Sequence, residues 1–373
     1  MDVNQKLPLL GGLSPAAFMK RHWQKKPLLV RQAWPQVQPP LARAALFELA
    51  SQEDVESRLV SLHQGRWQLR SGPLPKRALP PQSRPGWTLL VQGLDLHVGA
   101  AHAMLQAFRF IPDVRLDDLM VSWASDGGGV GPHLDAYDVF LLQVQGRRRW
   151  RVGRAKQPQW VADAPLKRLA NFEPEQEWVL EPGDMLYLPP NWGHDGVAVG
   201  GDCMTCSVGF QVPQAETLAR ELLLRVGDDE PMPSPFYSDP DQEATANPAV
   251  VPQALLAFAQ AAIERRLSEP QWLARTLGEV LTEPKPQVWF RGTSEAVATG
   301  GVHLCKRSKM LYDQHHIFIN GEAFEARGRD ARLMRLLADH RALDARDVAS
   351  LSPGARQLLD QWVQAGWAQG AAP

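Results

Sequence analysis

The chain has 373 residues and a net charge of −1, with 44% hydrophobic and 22% charged residues. These values are typical of a globular protein; they exclude a disordered or collagen-like chain and give no indication of wholesale nucleic-acid or membrane-surface binding. Three cysteines are too few for a disulfide framework, no apolar run is long enough to span a membrane, and the first residues lack a signal-peptide pattern. A cytoplasmic protein without membrane segments is therefore expected.

The pattern of residues divides the chain into three regions. Residues 1–213 are rich in Trp, Pro, Gly and short β-like runs, which predicts a mainly β domain. Residues 214–284 are acidic overall and show helical spacing of apolar residues. The helices predicted there cover Ala215–Val226, Pro252–Leu267 and Gln271–Leu281. Their apolar faces are expected to pack on the first domain or on another subunit.

Residues 285–373 form the third region. Strand-like runs at Val302–Lys306 and His315–Ile319 precede Asn320-Gly321, a dipeptide typical of tight β-hairpins. The helical patterns that follow cover Ala331–His340 and Pro353–Ala365. Strands flanked by helices indicate a small α+β, winged-helix-like domain. Its charge is only weakly basic, so strong direct DNA binding is not expected.

A candidate metal site begins after a glycine-rich turn, at His133-Leu134-Asp135. In a β-strand, residues i and i+2 project from the same face, so this imidazole and carboxylate are predicted to lie side by side. A third ligand is expected from His194, which follows an apolar strand, two prolines and a short turn. Two histidines and one carboxylate leave coordination positions open, as in non-haem Fe(II) oxygenases. The alternative is that these histidines are ordinary surface or core residues that bind no metal.

A candidate anion site lies in the strand-like segment Gly146–Val152. Alternation places Arg148 on one face with Trp150 and Val152, while three other arginines share the opposite face. If the apolar face is buried, Arg148 needs an anion, because an unpaired buried charge is costly. A dicarboxylate would fit, since guanidinium binds carboxylate with two parallel hydrogen bonds. The alternative is a buried structural Arg–Asp pair.

In these segments the chain resembles the JmjC (cupin-type) 2-oxoglutarate oxygenases. Among the members of that family, it is most similar to the bacterial ribosomal oxygenases that hydroxylate an arginine of a large-subunit ribosomal protein. The resemblance rests on the following segments: Phe18–Pro27, Asp117–Ser122, Gly127–Phe140, Gly146–Gly153, Leu180–Pro190, His194, Ser207–Phe210 and Phe236–Pro240. Over residues 285–373 the likeness is one of size and pattern alone.

The resemblance implies a double-stranded β-helix, or jelly-roll, over residues 1–213, followed by a helical dimerisation region and a winged-helix-like domain. It also implies that His133, Asp135 and His194 are the catalytic iron ligands. Arg148 matches the residue that holds the distal carboxylate of 2-oxoglutarate, and Ser122 the hydroxyl that assists it.

The activity that the resemblance implies needs Fe(II), 2-oxoglutarate and O₂. It is hydroxylation of an arginine β-carbon in large-subunit ribosomal protein sixteen, with release of succinate and CO₂, by a homodimer. Tyr137, on the predicted strand face of the metal ligands, and Asp126, just before the triple glycine, are candidates for holding the substrate cation; Tyr137 could equally be a core residue. The alternatives are a JmjC hydroxylase or demethylase of another side chain, and a non-catalytic cupin that senses a dicarboxylate.

Overall fold

The computed structural model describes residues 2–226, 235–244, 247, 249–268, 271–293 and 300–371. The chain falls into two units, Met1–Val212 and Pro213–Pro373. The first α-helix of this unit, Pro15–Arg21, has a typical N-terminus. Ser14 caps it by accepting a hydrogen bond from the backbone N–H of Ala17 at 3.2 Å, and Pro15 occupies the first helical position.

Antiparallel strands dominate the first unit. Its helices and strands, in chain order, are α1 (Pro15–Arg21), β1 (Leu28–Val30), α2 (Arg43–Leu49), β2 (Ser57–His63), β3 (Arg66–Ser71), β4 (Trp87–Val91), α3 (Gly99–Gln106), β5 (Leu116–Ala124), β6 (Val139–Gln145), β7 (Arg148–Arg154), β8 (Gln176–Leu180), β9 (Met185–Leu188), β10 (Trp192–Ala198) and β11 (Cys203–Phe210). Short 3₁₀ turns occur at Pro8–Leu10, Lys76–Ala78, Leu94–Leu96 and Asp113–Arg115.

Two sheets form the body of this unit. The larger has eight strands in the order β1-β9-β6-β11-β5-β4-β2-β3, and the smaller has three in the order β10-β7-β8. Neighbouring strands in both are antiparallel. This is the jelly-roll, or cupin, arrangement, and it confirms the predicted fold class of the first region.

Strand β6 shows how alternation separates the two sides of the large sheet. Phe140 and Leu142 join the core that contains Phe18 of α1 and Phe108, which follows α3. Their neighbours on the strand, Val139 and Leu141, point the other way and pack with residues of β7, β8 and β9. The large sheet therefore has helices on one face and the small sheet on the other, with every apolar residue of β6 buried.

Strand β7 follows the predicted alternation. Arg148, Trp150 and Val152 are buried, whereas Arg149 and Arg151 on the opposite face are half-buried. Arg151 pairs there with Asp195 at 2.5 Å. The prediction that Arg148 points into the interior is confirmed.

The second unit starts with three helices and continues with short strands and further helices. Its elements are α4 (Ala215–Val226), α5 (Gln253–Leu267), α6 (Trp272–Thr282), β12 (Val302–Leu304), β13 (Met310–Tyr312), β14 (His316–Ile319), β15 (Glu322–Glu325), α7 (Gly328–His340), β16 (Ala342–Leu343), α8 (Ala345–Ala349), α9 (Pro353–Gln364) and β17 (Ala368–Gly370). Two strands were predicted here, but two three-stranded sheets form, ordered β16-β12-β17 and β13-β14-β15. The extra strands are two to four residues long, too short for alternation to reveal them.

The predicted hairpin is present in the second unit. Asn320 and Gly321 have φ values of 50° and 92° and connect β14 to β15. Asn and Gly tolerate this left-handed region, which a two-residue hairpin requires. Helix α6 packs on the same sheet, because Gly278 brings its backbone so close to the ring of Phe318 that a Cβ would lie 2.4 Å from it. The predicted division of this half at residue 284 stays a prediction.

Candidate active site

A cavity of about 230 Å³ lies within the first unit, on the face of the large sheet that the small sheet covers. Strands β5 and β11 supply one wall, which is lined by Asp118, Met120 and Ser122 of β5 and by Ser207 and Gly209 of β11. In the register of the two strands, Ser207 stands opposite Met120 and Gly209 opposite Asp118. Strands β7 and β10 supply the opposite wall. The cavity lining includes Arg58, Asp118, Met120, Ser122, His133, Asp135, Tyr137, Arg148, Trp150, Lys167, His194, Ser207 and Gly209.

Three potential metal ligands meet in this cavity. His133, Asp135 and His194 each offer one ligand atom, and these atoms lie within 4.8 Å of one another. The Nε2 of His194 is 3.4 Å from one oxygen of Asp135, and the Nε2 of His133 is 3.9 Å from the other. The backbones of the two histidines also pair, with both N···O distances at 3.0 Å. That bridge fixes where the two ligands from distant parts of the chain stand.

Hydrogen bonds set both imidazoles in the form that binds a metal. The Nδ1 of His133 lies 2.9 Å from the carbonyl oxygen of Gly131, and that of His194 lies 2.9 Å from the carbonyl of Trp192. A carbonyl only accepts, so each Nδ1 carries the proton and donates. Each Nε2 therefore presents its lone pair to the cavity once the ring is neutral.

The pKa values of the three groups depend on one another. Burial, together with the neighbouring His194, lowers the pKa of His133 to about 4. Burial alone would raise the pKa of Asp135, but the hydrogen bond and charge of His194 outweigh it and lower that pKa to about 2. The pKa of His194 is raised: burial opposes its charge, but the hydrogen bond to Asp135 prevails. Without a metal, the carboxylate of Asp135 thus favours the protonated form of His194.

Arg148 also lines the cavity, and its hydrogen-bond partners are neutral groups. Its Nη1 donates to Ser122 Oγ at 2.9 Å and, more weakly, to Thr205 Oγ1 at 3.5 Å, and its Nη2 donates to the carbonyl of Gly196 at 3.2 Å. Its side chain is 3% exposed. Among the residues that the structure describes, no carboxylate forms an ion pair with it. The alternative of a structural Arg–Asp pair is therefore not realised, and the guanidinium is available to an anionic ligand.

A carboxylate, Asp118, and an aromatic ring, Tyr137, both lie next to Gly209 in the cavity. One oxygen of Asp118 accepts the backbone N–H of Gly93 at 2.8 Å. The other lies across Gly209 from Tyr137: a Cβ on Gly209 would be 3.5 Å from Asp118 Oδ1 and 4.0 Å from the Tyr137 ring. The missing side chain of Gly209 leaves space between them. Burial and the charges of Asp135 and Asp118 raise the pKa of Tyr137, so its hydroxyl stays protonated.

Comparison with known proteins places this geometry in a family. The chain is 33% identical, over 94% of its length and 96% of the relative's, to the ribosomal protein uL16 3-hydroxylase of Escherichia coli. It superimposes on a crystal structure of E. coli YcfD with a TM-score of 0.84 at 31% identity, covering 95% of this chain and 98% of the other. The chain belongs to the JmjC ribosomal oxygenases.

Profiles of two domains of this family match the chain. The JmjC domain matches residues 103–218, and the ROXA-like winged helix matches residues 265–369. A structure of the E. coli ribosomal oxygenase YcfD in complex with cobalt and 2-oxoglutarate superimposes with a TM-score of 0.81 at 31% identity, over 95% of this chain and 98% of the other. A mosquito relative, the bifunctional lysine-specific demethylase and histidyl-hydroxylase NO66 of Aedes aegypti, is 28% identical over 49% of this chain and 31% of its own length.

The structure brings most of the predicted site residues of this ribosomal oxygenase together, although not in the predicted way. His133, Asp135 and Tyr137 were expected on one strand face. Instead, residues 134–138 are irregular, β6 begins only at Val139, and His133 makes an isolated bridge to His194. Pro132 and the glycines before it prevent regular pairing here, so the ligands converge by loop geometry.

Asp126 is not brought to the cavity. It lies beyond the end of β5, is exposed, and accepts the backbone N–H of Gly201 at 3.2 Å. Besides Asp135, the acidic residues that line the cavity are Asp117 and Asp118, which sequence reasoning missed as site residues. Asp118 is the one that shares a strand face with a predicted site residue. Alternation could have found it, because Asp118, Met120 and Ser122 share one face of β5, and Ser122 was already a candidate.

Proposed function

We propose that this chain is an Fe(II)- and 2-oxoglutarate-dependent oxygenase that hydroxylates the β-carbon of an arginine in ribosomal protein uL16, releasing succinate and CO₂. One observation carries the proposal: the same cavity is lined by a set of two histidines and one carboxylate and by Arg148, which has no acidic partner among the described residues. The name of the E. coli relative supplies the substrate and the carbon.

His133, Asp135 and His194 would hold the iron. The donor set fits, because two neutral imidazoles and one carboxylate suit Fe(II) and leave positions for other ligands. When bound, iron with 2-oxoglutarate and O₂ supplies the oxidising power that inserts oxygen into an unactivated C–H bond. The carbonyls of Gly131 and Trp192 accept from the two Nδ1 atoms, so each ring would present its Nε2 to the metal.

Arg148 and Ser122 would hold the distal carboxylate of 2-oxoglutarate. The buried guanidinium has a free positive charge and hydrogen-bonds only neutral groups among the described residues. A dicarboxylate satisfies it with charge-assisted hydrogen bonds. Fixing the far end of the co-substrate places its 2-oxo acid end toward His133 and His194, which limits the geometries open to reaction.

Asp118 and Tyr137 would receive the substrate arginine. A planar guanidinium fits between a carboxylate and an aromatic face, and the bare backbone of Gly209 leaves the space for it. The largely buried position of Asp118 strengthens its interaction with a cation. This arrangement favours a cationic side chain over a neutral one.

A second candidate function is hydroxylation or demethylation of a different protein side chain. The NO66 relative carries both a demethylase and a histidyl-hydroxylase in its name, and the proposed metal ligands would serve either reaction. The acidic Asp118 is compatible with lysine as well as arginine. A non-catalytic, dicarboxylate-sensing cupin would need neither Asp118 nor the space beside it.

We further propose a cytoplasmic homodimer formed through the helical region. Helices α4 and α5 expose large apolar side chains, including Leu223, Leu224, Leu256 and Ile263. Burying them against a second copy would remove apolar surface from water. In the part of the chain that the structure describes, no helix is both long and apolar enough to cross a bilayer.

The deciding experiment incubates the protein with Fe(II), 2-oxoglutarate, ascorbate and intact uL16. Mass spectrometry of the digested product should find one added oxygen atom on the β-carbon of a single arginine, and none with the His133→Ala variant. Oxygen on another residue type would favour the second function. Succinate formation without any modified peptide would move the search to other proteins, and no 2-oxoglutarate binding would refute the proposal.

A further inference from the structure

The guanidinium of Arg148 occupies an unusual environment for a buried cation. Its hydrogen-bond partners are two hydroxyls and one carbonyl. The nearest acid on β10, Asp195, points to the other face of the small sheet, where it pairs with Arg151 at 2.5 Å. Burial lowers the pKa of Arg148; the charge of Asp195 acts against this effect from a distance, but none of the described carboxylates hydrogen-bonds the guanidinium. Some other feature must hold this charge in place.

The indole ring of Trp150 provides that feature. The guanidinium carbon of Arg148 lies 5.0 Å from the centre of the Trp150 ring, within the range of a cation–π interaction. Trp150 is 5% exposed and lines the cavity. Its ring is also 5.9 Å from that of His194. The ring thus lies close to both Arg148 and one of the proposed iron ligands.

Gly196 permits this contact. A Cβ at Gly196 would lie 2.6 Å from two carbons of the Trp150 ring and 2.8 Å from Arg148 Nε. The ring and the guanidinium therefore both rest on bare backbone, and the carbonyl of the same glycine accepts from Arg148 Nη2. Any larger residue would separate the pair.

We propose that Trp150 is a positioning residue for the co-substrate. Its π face stabilises and orients the Arg148 cation without neutralising it, so the full positive charge remains available to the distal carboxylate of 2-oxoglutarate. A carboxylate in the same position would orient the arginine equally well but would compete with the ligand. The inference rests on the proposed function, in which Arg148 binds that carboxylate.

A purely structural role is the competing explanation. Trp150 belongs to an apolar cluster with Val152, Leu180 and Leu188, so truncating it could loosen the whole cavity. Trp178 offers a matched control: it stands opposite Trp150 on the neighbouring strand β8 and packs against the same cluster.

The test measures ligand binding by calorimetry in Co(II)-loaded protein without the peptide substrate. Two ligands are compared: 2-oxoglutarate, and 2-oxobutanoate, which keeps the 2-oxo acid end but lacks the distal carboxylate. For Trp150→Leu we expect the Kd of 2-oxoglutarate to rise about tenfold, with little change for 2-oxobutanoate. Trp178→Leu should leave both values unchanged, and Trp150→Phe should restore most of the affinity.

Fluorinated tryptophans at position 150 test the mechanism without changing shape. Each added fluorine withdraws electron density from the ring face, so the Kd of 2-oxoglutarate should rise stepwise. An unchanged Kd across this series, or equal weakening of both ligands in Trp150→Leu, would overturn the inference. If Arg148→Met also left the binding of 2-oxoglutarate unchanged, the proposed function itself would be wrong, and not only the role of Trp150.

Discussion

Replacing Arg148 with methionine should separate binding from stability. Arg148 is 3% exposed and makes two good hydrogen bonds to neutral groups. In the complex, its loss removes charge-assisted bonds to a buried carboxylate, which amounts to about 2–4 kcal/mol. The affinity for 2-oxoglutarate should therefore fall roughly 30- to 1000-fold.

The same change should leave the ligand-free protein at least as stable as the wild type. A buried cation without an acidic partner is unfavourable, and an apolar side chain of similar length is often neutral or stabilising in its place. Calorimetry with 2-oxoglutarate measures the first effect, and the thermal midpoint without ligand measures the second. Arg149→Met is the control, since Arg149 lies on the opposite face of β7 and does not line the cavity. A large drop in the midpoint together with unchanged affinity would refute the reasoning.

Further changes test the other parts of the site. Asp118→Asn should raise the KM for uL16 about tenfold or more, with the affinity for 2-oxoglutarate retained; equal loss of both would show that the cavity had collapsed. Gly209→Val should fill the space beside Tyr137 and block peptide binding, and normal turnover would contradict the proposed position of the substrate. At pH 6.5, the ordinary pKa of a histidine, metal binding should release more than half a proton per Co(II), because the raised pKa of His194 favours its protonated form beside Asp135 in the metal-free protein, whereas His133, with a pKa of about 4, is already neutral. Metal affinity should thus rise with pH up to the pKa of His194, and the stabilising ion pair of the metal-free protein should be lost over the same interval. Calorimetry in buffers of different ionisation enthalpy measures the released proton, and a value near zero would rule out the ion pair.

Local pattern was sufficient for much of the fold. Alternation on β7 predicted which arginine faces inward, and helical spacing predicted both ends of α4 as they are observed. The hairpin at Asn320 followed from the φ preference of an Asn-Gly pair. These features depend on residues close in sequence, so periodicity and turn chemistry reveal them. The strands β13, β15, β16 and β17 have no such signal at two to four residues each.

The candidate site was only partly accessible to the same reasoning. His133, Asp135, His194 and Arg148 were predicted from residue type, context and resemblance, and the structure places all four around one cavity. The predicted way in which His133 and Asp135 come together was wrong, because a strand was expected where the chain after the glycine-rich turn forms an irregular loop. Asp126 was chosen for its neighbours in sequence, yet β5 carries Asp118 to the cavity instead.

The amino-acid sequence by itself determined the chemistry available to this protein: two imidazoles, a carboxylate and an inward arginine on strands of defined alternation. Only the tertiary structure decided what each group meets. The backbone bridge between His133 and His194 brings together ligands far apart in the chain. The pairing of β7 with β10 places Trp150 and Arg148 over Gly196. Such contacts depend on the register between strands that are distant in sequence. That register is fixed when the two sheets pack around a shared core, and local sequence preference does not determine it.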